Sequence, residues 1–552
     1  MAPEEKNVFL SGIGLSPGLA MGEAYLYEDI LERDFEAAKI EPGQVEEECR
    51  RLGSAMDRVR DELSSAEQQV HREVGPSLAE VFRAHRQMLQ DPALAEELRE
   101  EVKEHHLPAE QALQRVFGRW EQRFREMESE TFQARDADVA DLARRILKVL
   151  LDIESHALED MPEGSILVAK RLLPSDAVFF SLASPAGFVV EVGSPGSHCA
   201  LLTRELGIPG VAQVPGVWER GSQGQTVMVD GIHGTVVVSP DGHTRARFGR
   251  QQKSYEATRQ KARERCHEPA VTKGGLEVPV LANLGTRHDA RLAAEYGADG
   301  VGLYRTEILY ATRDSFPTEK ELVEAMSEVL APLRDRPCVV RLMDIGGDKE
   351  LPFLESFSES NPFLGRRGIR LLLSYPELLE VQLRAMIRLS RDFDLQIMVP
   401  MVTVAEDMRQ VREALRTTAS EMGVPDPPPL VALIETPAAA LCTAEIARHA
   451  DSLSVGTNDL TQYTMAAGRD NPLVAHYFQD DHPAVLRLLR MVCRESGDKP
   501  VFVCGELAGR LEAVEALLQA GVRMLSVAPP LIPSVKQAVR QVHIETPSQS
   551  SS

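Results

Sequence analysis

Hydrophobic positions follow three different rhythms along the chain, and the changes of rhythm divide it. Residues 8–28 carry short apolar runs broken by glycine and proline (Gly-Ile-Gly-Leu-Ser-Pro-Gly-Leu-Ala-Met-Gly-Glu-Ala-Tyr-Leu-Tyr), which predict strand, turn and strand. From about Phe35 to Leu151 the repeat lengthens. Val45, Leu52, Met56, Val59, Leu63, Ala66 and Val70 recur at steps of three, four or seven in a charged background, the stripe of a helix in a hairpin or small bundle. Further helices are expected around Leu78 to Leu89, Ala93 to Val102, Ala109 to Phe124 and Ala137 to Leu151. After Pro162 the short period returns in Ile166 to Ala169, Gly187 to Val192, Thr226 to Val229 and Gly234 to Val238, with Asp230-Gly231 opening a tight hairpin turn.

These patterns predict one α/β domain, residues 1–30 and 154–240, into which a helical domain, 31–153, is inserted. Residues 241–270 are polar, basic and helix-prone, and read as a helical linker. Beyond Leu276, strands alternate with helices such as Lys320 to Leu333, Glu377 to Ser390 and Val404 to Met422. Eight strands are expected: Val278 to Leu284, Gly300 to Tyr304, Cys338 to Met343, Leu395 to Pro400, Leu430 to Ile434, Ser452 to Gly456, Pro500 to Cys504 and Met524 to Val527. Eight β/α units in sequence predict a TIM barrel over 271–544, followed by a disordered tail, 545–552.

Composition narrows the function classes. A chain of 552 residues with 43% hydrophobic and 26% charged residues is an ordinary multidomain globular protein. Its net charge of −23 argues against nucleic acid and anionic membranes as partners. No apolar run has the length of a signal peptide or a spanning helix, so no membrane insertion and a cytoplasmic location are expected. Seven scattered cysteines without a Cys-x-x-Cys pair argue against a disulfide framework and against a zinc site.

Candidate chemistry lies in two places. In Gly187 to Val211 a buried run gives way to a Gly/Ser/Pro turn, and Ser197 is a candidate N-cap for a helix beginning at His198. An imidazole at a helix N-terminus suits an anion, including a phosphoryl group carried on the ring itself. A capping or packing histidine fits the same local sequence. The second place is the rim formed by the C-terminal ends of the barrel strands, where TIM-barrel active sites lie. Arg305-Thr306-Glu307, Arg341 with Asp344, Glu435, Asn458-Asp459 with Arg469 beyond, and Cys504-Gly-Glu506 all close strands there. Arg305, Arg341 and Arg469 are suited to clamp phosphate and carboxylate oxygens. Glu435 and Asp459 are hard oxygen ligands suited to Mg²⁺, and a thiol such as Cys504 stays protonated near neutral pH and can donate. A buried small hydrophobe is the alternative for Cys504.

Together these residues resemble enzyme I, the phosphoenolpyruvate-protein phosphotransferase family of the bacterial sugar phosphotransferase system. The resemblance runs from Gly-Ile-Gly-Leu-Ser-Pro-Gly-Leu-Ala to Ile532-Pro-Ser-Val-Lys. It is strongest in Gly302-Leu-Tyr-Arg-Thr-Glu, Met343-Asp-Ile-Gly-Gly-Asp-Lys-Glu-Leu-Pro, Asn361-Pro-Phe-Leu-Gly, Glu435-Thr-Pro-Ala-Ala-Ala, Ser454-Val-Gly-Thr-Asn-Asp-Leu-Thr-Gln-Tyr-Thr and Cys504-Gly-Glu-Leu-Ala-Gly. It implies that phosphoenolpyruvate and Mg²⁺ bind in the barrel and that His198 accepts the phosphoryl group. His198 then passes it to a histidine of the phosphocarrier protein HPr, which docks on the inserted helical domain. Arg305, Arg341, Asn458, Asp459 and Arg469 would bind phosphoenolpyruvate, Glu435 and Asp459 the metal, and Cys504 would protonate the enolpyruvate carbon. Lys349 and Arg367 are further contacts, and a homodimer through the barrel is implied.

The chain departs from the family pattern at Gly196 (usually Thr), Leu342 (Thr), Gly468 (Asp) and Arg510 (Asp). Two other readings are a divergent paralogue that senses phosphoenolpyruvate or binds HPr with little turnover, and an ATP-dependent relative. The latter needs a nucleotide-grasp domain, for which 31–153 is too short and too helical.

Overall fold

A computed structural model describes residues 7–28, 30–32, 39–73, 85–86, 88–89, 92–126, 135–153, 158, 161–172, 176, 184–193, 203, 207–311, 315–346, 359, 361–468 and 474–544. The chain divides into two compact units, Met1–Ala257 and Thr258–Ser552. Among the described residues no helix is long and apolar enough to cross a membrane.

In the first unit, strands β1 (Val8–Ser11), β2 (Ile13–Ser16), β3 (Leu19–Tyr27), β4 (Ile166–Ala169), β5 (Gly187–Val190), β6 (Gly210–Ala212), β7 (Thr226–Asp230) and β8 (Thr235–Val238) form one mixed sheet in the order β1-β8-β7-β3-β4-β5-β6-β2. The central β3-β4-β5-β6 pairings are parallel, and β4 and β5 are buried on both faces, which is why they read as unbroken apolar runs. The sequence did not signal β6. It is three residues long between Pro209 and Gln213, and only its pairing with β5 and β2 makes it a strand. The hairpin is wider than a two-residue turn: Asp230 pairs with Thr235, and the Asp230 Oδ1 accepts the N–H groups of Ile232 and His233, both at 3.0 Å.

Between β3 and β4 lie helices α1 (Val45–Glu73), α2 (Pro92–His105), α3 (Ala109–Glu126) and α4 (Arg135–Leu150). Leu52, Val59 and Leu63 of the predicted stripe are buried against Leu94, Leu113 and Ile146. Arg144 on α4 and the Tyr27 hydroxyl at the end of β3 both bond the fully buried Asp176, at 2.5 and 2.9 Å. That ion pair ties the bundle to the sheet. The expected helix at His198 lies outside the described residues, as does most of that at Leu78 to Leu89. The basic segment expected as a linker forms a helix, α5 (Gly242–Glu264).

In the second unit, β9 (Val280–Leu284), β10 (Val301–Tyr304), β11 (Cys338–Arg341), β12 (Leu395–Val402), β13 (Leu430–Ile434), β14 (Ser452–Val455), β15 (Val501–Val503) and β16 (Met524–Val527) close into a parallel barrel. This is the predicted TIM barrel. Its interior is a packed plug of Leu303, Val339, Met398, Val431, Leu433 and Phe502, with Cys504 in the same cluster. At the outside, the fully buried Lys536 on the helix Ile532–Gln541 bonds the Gly297 carbonyl at 2.6 Å and Asp299 Oδ1 at 2.7 Å.

Candidate active site

Because the strands are all parallel, the residues that follow each one meet at a single rim. Arg341, the last residue of β11, is 9% exposed. Its Nη2 lies 3.0 Å from Glu307 Oε1 and its Nη1 3.1 Å from Asp344 Oδ2, while Glu307 also accepts the Asp344 N–H at 3.0 Å. Burial alone would lower the pKa of the guanidinium, but Glu307, Asp344 and Glu435 outweigh it and the group is firmly charged. Its Nε is buried without an acceptor among the described residues. In a site this dry, a donor left over in that way marks where an incoming oxygen is wanted.

Arg367 is the hub of the acidic side. Nε and Nη2 bond the two oxygens of Asp344, each at 3.1 Å, and Nη1 and Nη2 bond those of Asp459 at 2.7 and 3.2 Å. Close approach of the two turns depends on Gly346, whose φ is 119° and where a Cβ would stand 2.2 Å from the Arg366 carbonyl oxygen. Asp459 sits in the first turn of the helix Thr457–Met465, and Tyr463 one turn later joins the cluster, receiving Arg367 Nη1 at 3.4 Å and donating to the Phe363 carbonyl at 2.7 Å.

Glu435, the residue after β13, is 2% exposed. Its Oε1 accepts the Met401 N–H at 2.5 Å. Met401 has a left-handed φ of 56°, and the β12–β13 register shifts between Val399 and Val402, so a bulge at the end of β12 aims that amide at the carboxylate. Burial, then Asp459 and Asp344, push the Glu435 carboxyl well above the usual carboxylate range, against the pull of Arg367 and Arg341. A buried carboxylate with a half-buried one acting on it fits a divalent cation, which reverses the effect of burial. Among the described residues no three His, Cys, Asp or Glu gather as a ligand set. Two carboxylates with the remaining positions left to water and ligand oxygens is the arrangement Mg²⁺ accepts.

Cys504 follows β15 and is 3% exposed. Burial pushes its thiol up to about 11. The Ser454 hydroxyl, Arg341 and Arg305 pull it down, and Glu435 pushes it further up. Ser454 Oγ stands 3.3 Å from the sulfur, and the chain around it is pinned by Asn283, whose Nδ2 donates to the Cys504 carbonyl at 3.0 Å while Ser526 Oγ donates to its Oδ1 at 2.7 Å. Asn458 Oδ1 accepts the Glu506 N–H at 2.9 Å, tying the turn after β15 to the helix after β14. Arg305, after β10, is exposed at the rim.

Of the residues singled out in the sequence, Arg305, Arg341, Glu435, Asn458, Asp459 and Cys504 therefore stand on one rim, and His198, Arg469 and Lys349 lie outside the described residues. The sequence reading left Arg367 at the margin and missed Glu307, Met401, Ser454 and Tyr463 as partners. Tyr463 had a signal, its place four residues after Asp459 on a helix; Met401 had none.

Comparison with known proteins bears on the family. Models described as PEP-utilising enzyme, PEP-binding domain, PEP-utilising enzyme, N-terminal, and PEP-utilising enzyme, mobile domain match residues 259–544, 11–135 and 161–234. The phosphoenolpyruvate-protein phosphotransferase of Listeria innocua is 37% identical over 94% of this chain and 91% of its own. Those of Geobacillus stearothermophilus and Bacillus subtilis are each 36% identical, over 96% and 94% of this chain and 92% of their own. With such identity over nearly its whole length, the chain belongs to the phosphoenolpyruvate-protein phosphotransferase family of PEP-utilising enzymes.

Proposed function

We propose that this chain takes the phosphoryl group of phosphoenolpyruvate onto a ring nitrogen of His198 and passes it to a histidine of HPr, releasing pyruvate. The observation that carries the reading is the rim: Arg305, Arg341, Glu435, Asp459 and Cys504 close five strands of one barrel, within a segment matched by a PEP-binding family model. The Nε–H of Arg341, which has no acceptor among the described residues, supports it, because a phosphate or carboxylate oxygen is the kind of acceptor it suits.

In this reading Arg305, Arg341, Asn458 and Arg469 hold and orient phosphoenolpyruvate. Arg367 and Lys349 add positive charge. As the O–P bond breaks, a bond forms from phosphorus to the neutral imidazole of His198, and the arginines absorb the charge spread over the phosphoryl oxygens. Glu435 and Asp459 would hold Mg²⁺, which when bound would supply further neutralisation of the phosphoryl oxygens. The enolate left behind takes a proton at its methylene carbon from the Cys504 thiol, and the Ser454 hydroxyl steadies the thiolate until solvent returns the proton.

His198 has two partners to meet, so the α/β domain, 1–30 and 154–240, moves on the segment 241–270 between the barrel, 271–544, and HPr bound to residues 31–153. The family resemblance adds a cytoplasmic homodimer paired through the barrel. Incubation of the purified chain with phosphoryl-labelled phosphoenolpyruvate and Mg²⁺ tests the reading. Label is expected on the native chain and absent from His198→Ala; a His198→Ala chain that labels as well as the native one overturns it.

A further inference from the structure

Two turns of the barrel rim are fastened to each other by a charge pair. After Cys504 the chain makes the short turn Glu506–Gly509 and reaches Arg510; the other turn, Asp480 and Asp481, precedes the helix Pro483–Glu495. Arg510 Nη1 lies 3.0 Å from Asp480 Oδ1 and 3.9 Å from Asp481 Oδ2. The two ends of the pair differ. Asp480 is 4% exposed, whereas the Arg510 side chain is 46% exposed. Burial raises the Asp480 carboxyl, Arg510 opposes that, and the neighbouring Asp481 and Glu506 reinforce it. One guanidinium thus offsets three carboxylates, one of them buried.

An exposed ion pair contributes little, and its position is then incidental. Here removal of the arginine strands a buried carboxylate beside two others, which a surface pair never does. The connectivity gives the pair its use. The turn that Arg510 ends is already tied at Glu506 N–H to Asn458, and Asp480 ends the connection into which the helix bearing Asn458 and Asp459 runs. The Cys504 turn is therefore held at two points, by the hydrogen bond at Glu506 and by a charge contact at Arg510 in which Asp480 Oδ1 accepts no hydrogen bond among the described residues.

We propose that Arg510 is a positioning residue: by holding the Cys504 turn against Asp480 it keeps that turn, and with it the Glu506–Asn458 bond, in place before phosphoenolpyruvate arrives. The role rests on the phosphoenolpyruvate reading above. Arg510 itself touches neither substrate nor reacting atoms. An arginine at this position, where the family pattern has an aspartate, brings its own acidic partner on the facing turn.

Calorimetric binding of phosphoenolpyruvate to the full-length His198→Ala chain reads the strap apart from transfer, and steady-state kinetics with His198 restored read it in turnover. Arg510→Gln is expected to weaken binding by about tenfold, the scale of coupling carried through one rearranged contact. KM for phosphoenolpyruvate rises by a similar factor while kcat changes less than about twofold. Arg510→Lys keeps near-native binding, whereas Arg510→Gln/Asp480→Asn recovers urea stability, because no buried charge is left alone, but not binding, because the charge pair is gone. Native affinity in Arg510→Gln overturns the proposal. So does a double variant that regains native affinity along with its stability, which would show a stranded charge rather than a lost strap. If the native chain takes no label yet Arg510→Gln still weakens binding in the His198→Ala background, the transfer reading fails and the strap stands.

Discussion

Arg367 grips Asp459 with both of its terminal nitrogens, at 2.7 and 3.2 Å, while its Nε and Nη2 hold Asp344 at 3.1 Å. One guanidinium therefore balances two carboxylates next to a third, Glu435, that is buried and raised. Removing it leaves carboxylates facing one another with less positive charge between them, a change worth about 3–5 kcal/mol in buried pairs. Arg367→Met is expected to lower urea stability by that order. Millimolar Mg²⁺ should recover more stability in the variant than it adds to the native chain, since a cation bound only by the folded state takes over the balancing. Equal effects of Mg²⁺ on both chains would count against Asp459 and Glu435 as its ligands.

Cys504 sets a pH window. An acid whose folded pKa is raised stays protonated in the native state after it ionises in the unfolded chain. Its contribution is complete below about pH 9, the ordinary value, and is lost as pH rises through about 11. Between those values urea stability should fall more steeply for the native chain than for Cys504→Ala. Below pH 9 the pyruvate-forming step should show no inflection from this thiol, and iodoacetamide should modify it far more slowly than the exposed Cys442. Rapid alkylation of Cys504 at pH 7 would contradict a proton donor held as the thiol.

The barrel was legible because its strands are buried on both faces, so Leu430–Ile434 and Met524–Val527 stand out as apolar runs between amphipathic helices. Three-residue β6 carried no such signal. At the candidate site, the residue types that close strands were readable from position alone, Arg341 and Glu435 among them. The partners were not. The Arg367–Asp459 bond spans 92 residues of sequence and the Ser454–Cys504 bond 50, and neither follows from local pattern. The amide of Met401 reaches Glu435 through a bulge and a left-handed residue, a backbone feature that side-chain periodicity does not encode.

Gly505 allows the Cys504 turn to lie against Thr457. A Cβ at 505 would stand 1.9 Å from Thr457 Oγ1 and 2.6 Å from its backbone nitrogen, and Thr457 is fully buried. The φ of −79° at 505 suits alanine, so the obstacle is space rather than conformation. Gly505→Ala should cost about 1–3 kcal/mol, the scale of overpacking. It should also disturb the Glu506–Asn458 bond next to it. At Gly509 a Cβ would meet the tip of the Leu531 side chain, which can rotate away, so Gly509→Ala should cost under about 1 kcal/mol. Paired urea titrations of the two variants check the contrast; equal losses would show that Thr457 yields.

Arg305 offers the cleanest separation of rate from stability. Arg341 is buried in a network with Glu307 and Asp344, so its loss damages the fold and the chemistry together. Arg305 is exposed at the rim, yet its charge still acts on the Cys504 thiol within the barrel mouth. Arg305→Ala is therefore expected to leave urea stability within about 0.5 kcal/mol of native. Transfer to His198, followed by rapid quench at saturating phosphoenolpyruvate, should slow by on the order of 10³-fold, the scale of a missing cation on a phosphoryl transition state. Arg305→Lys should recover only part of the rate, because an ammonium restores the charge without the paired donors of a guanidinium. A native rate in Arg305→Ala would mean that the buried arginines carry the transition-state charge without it.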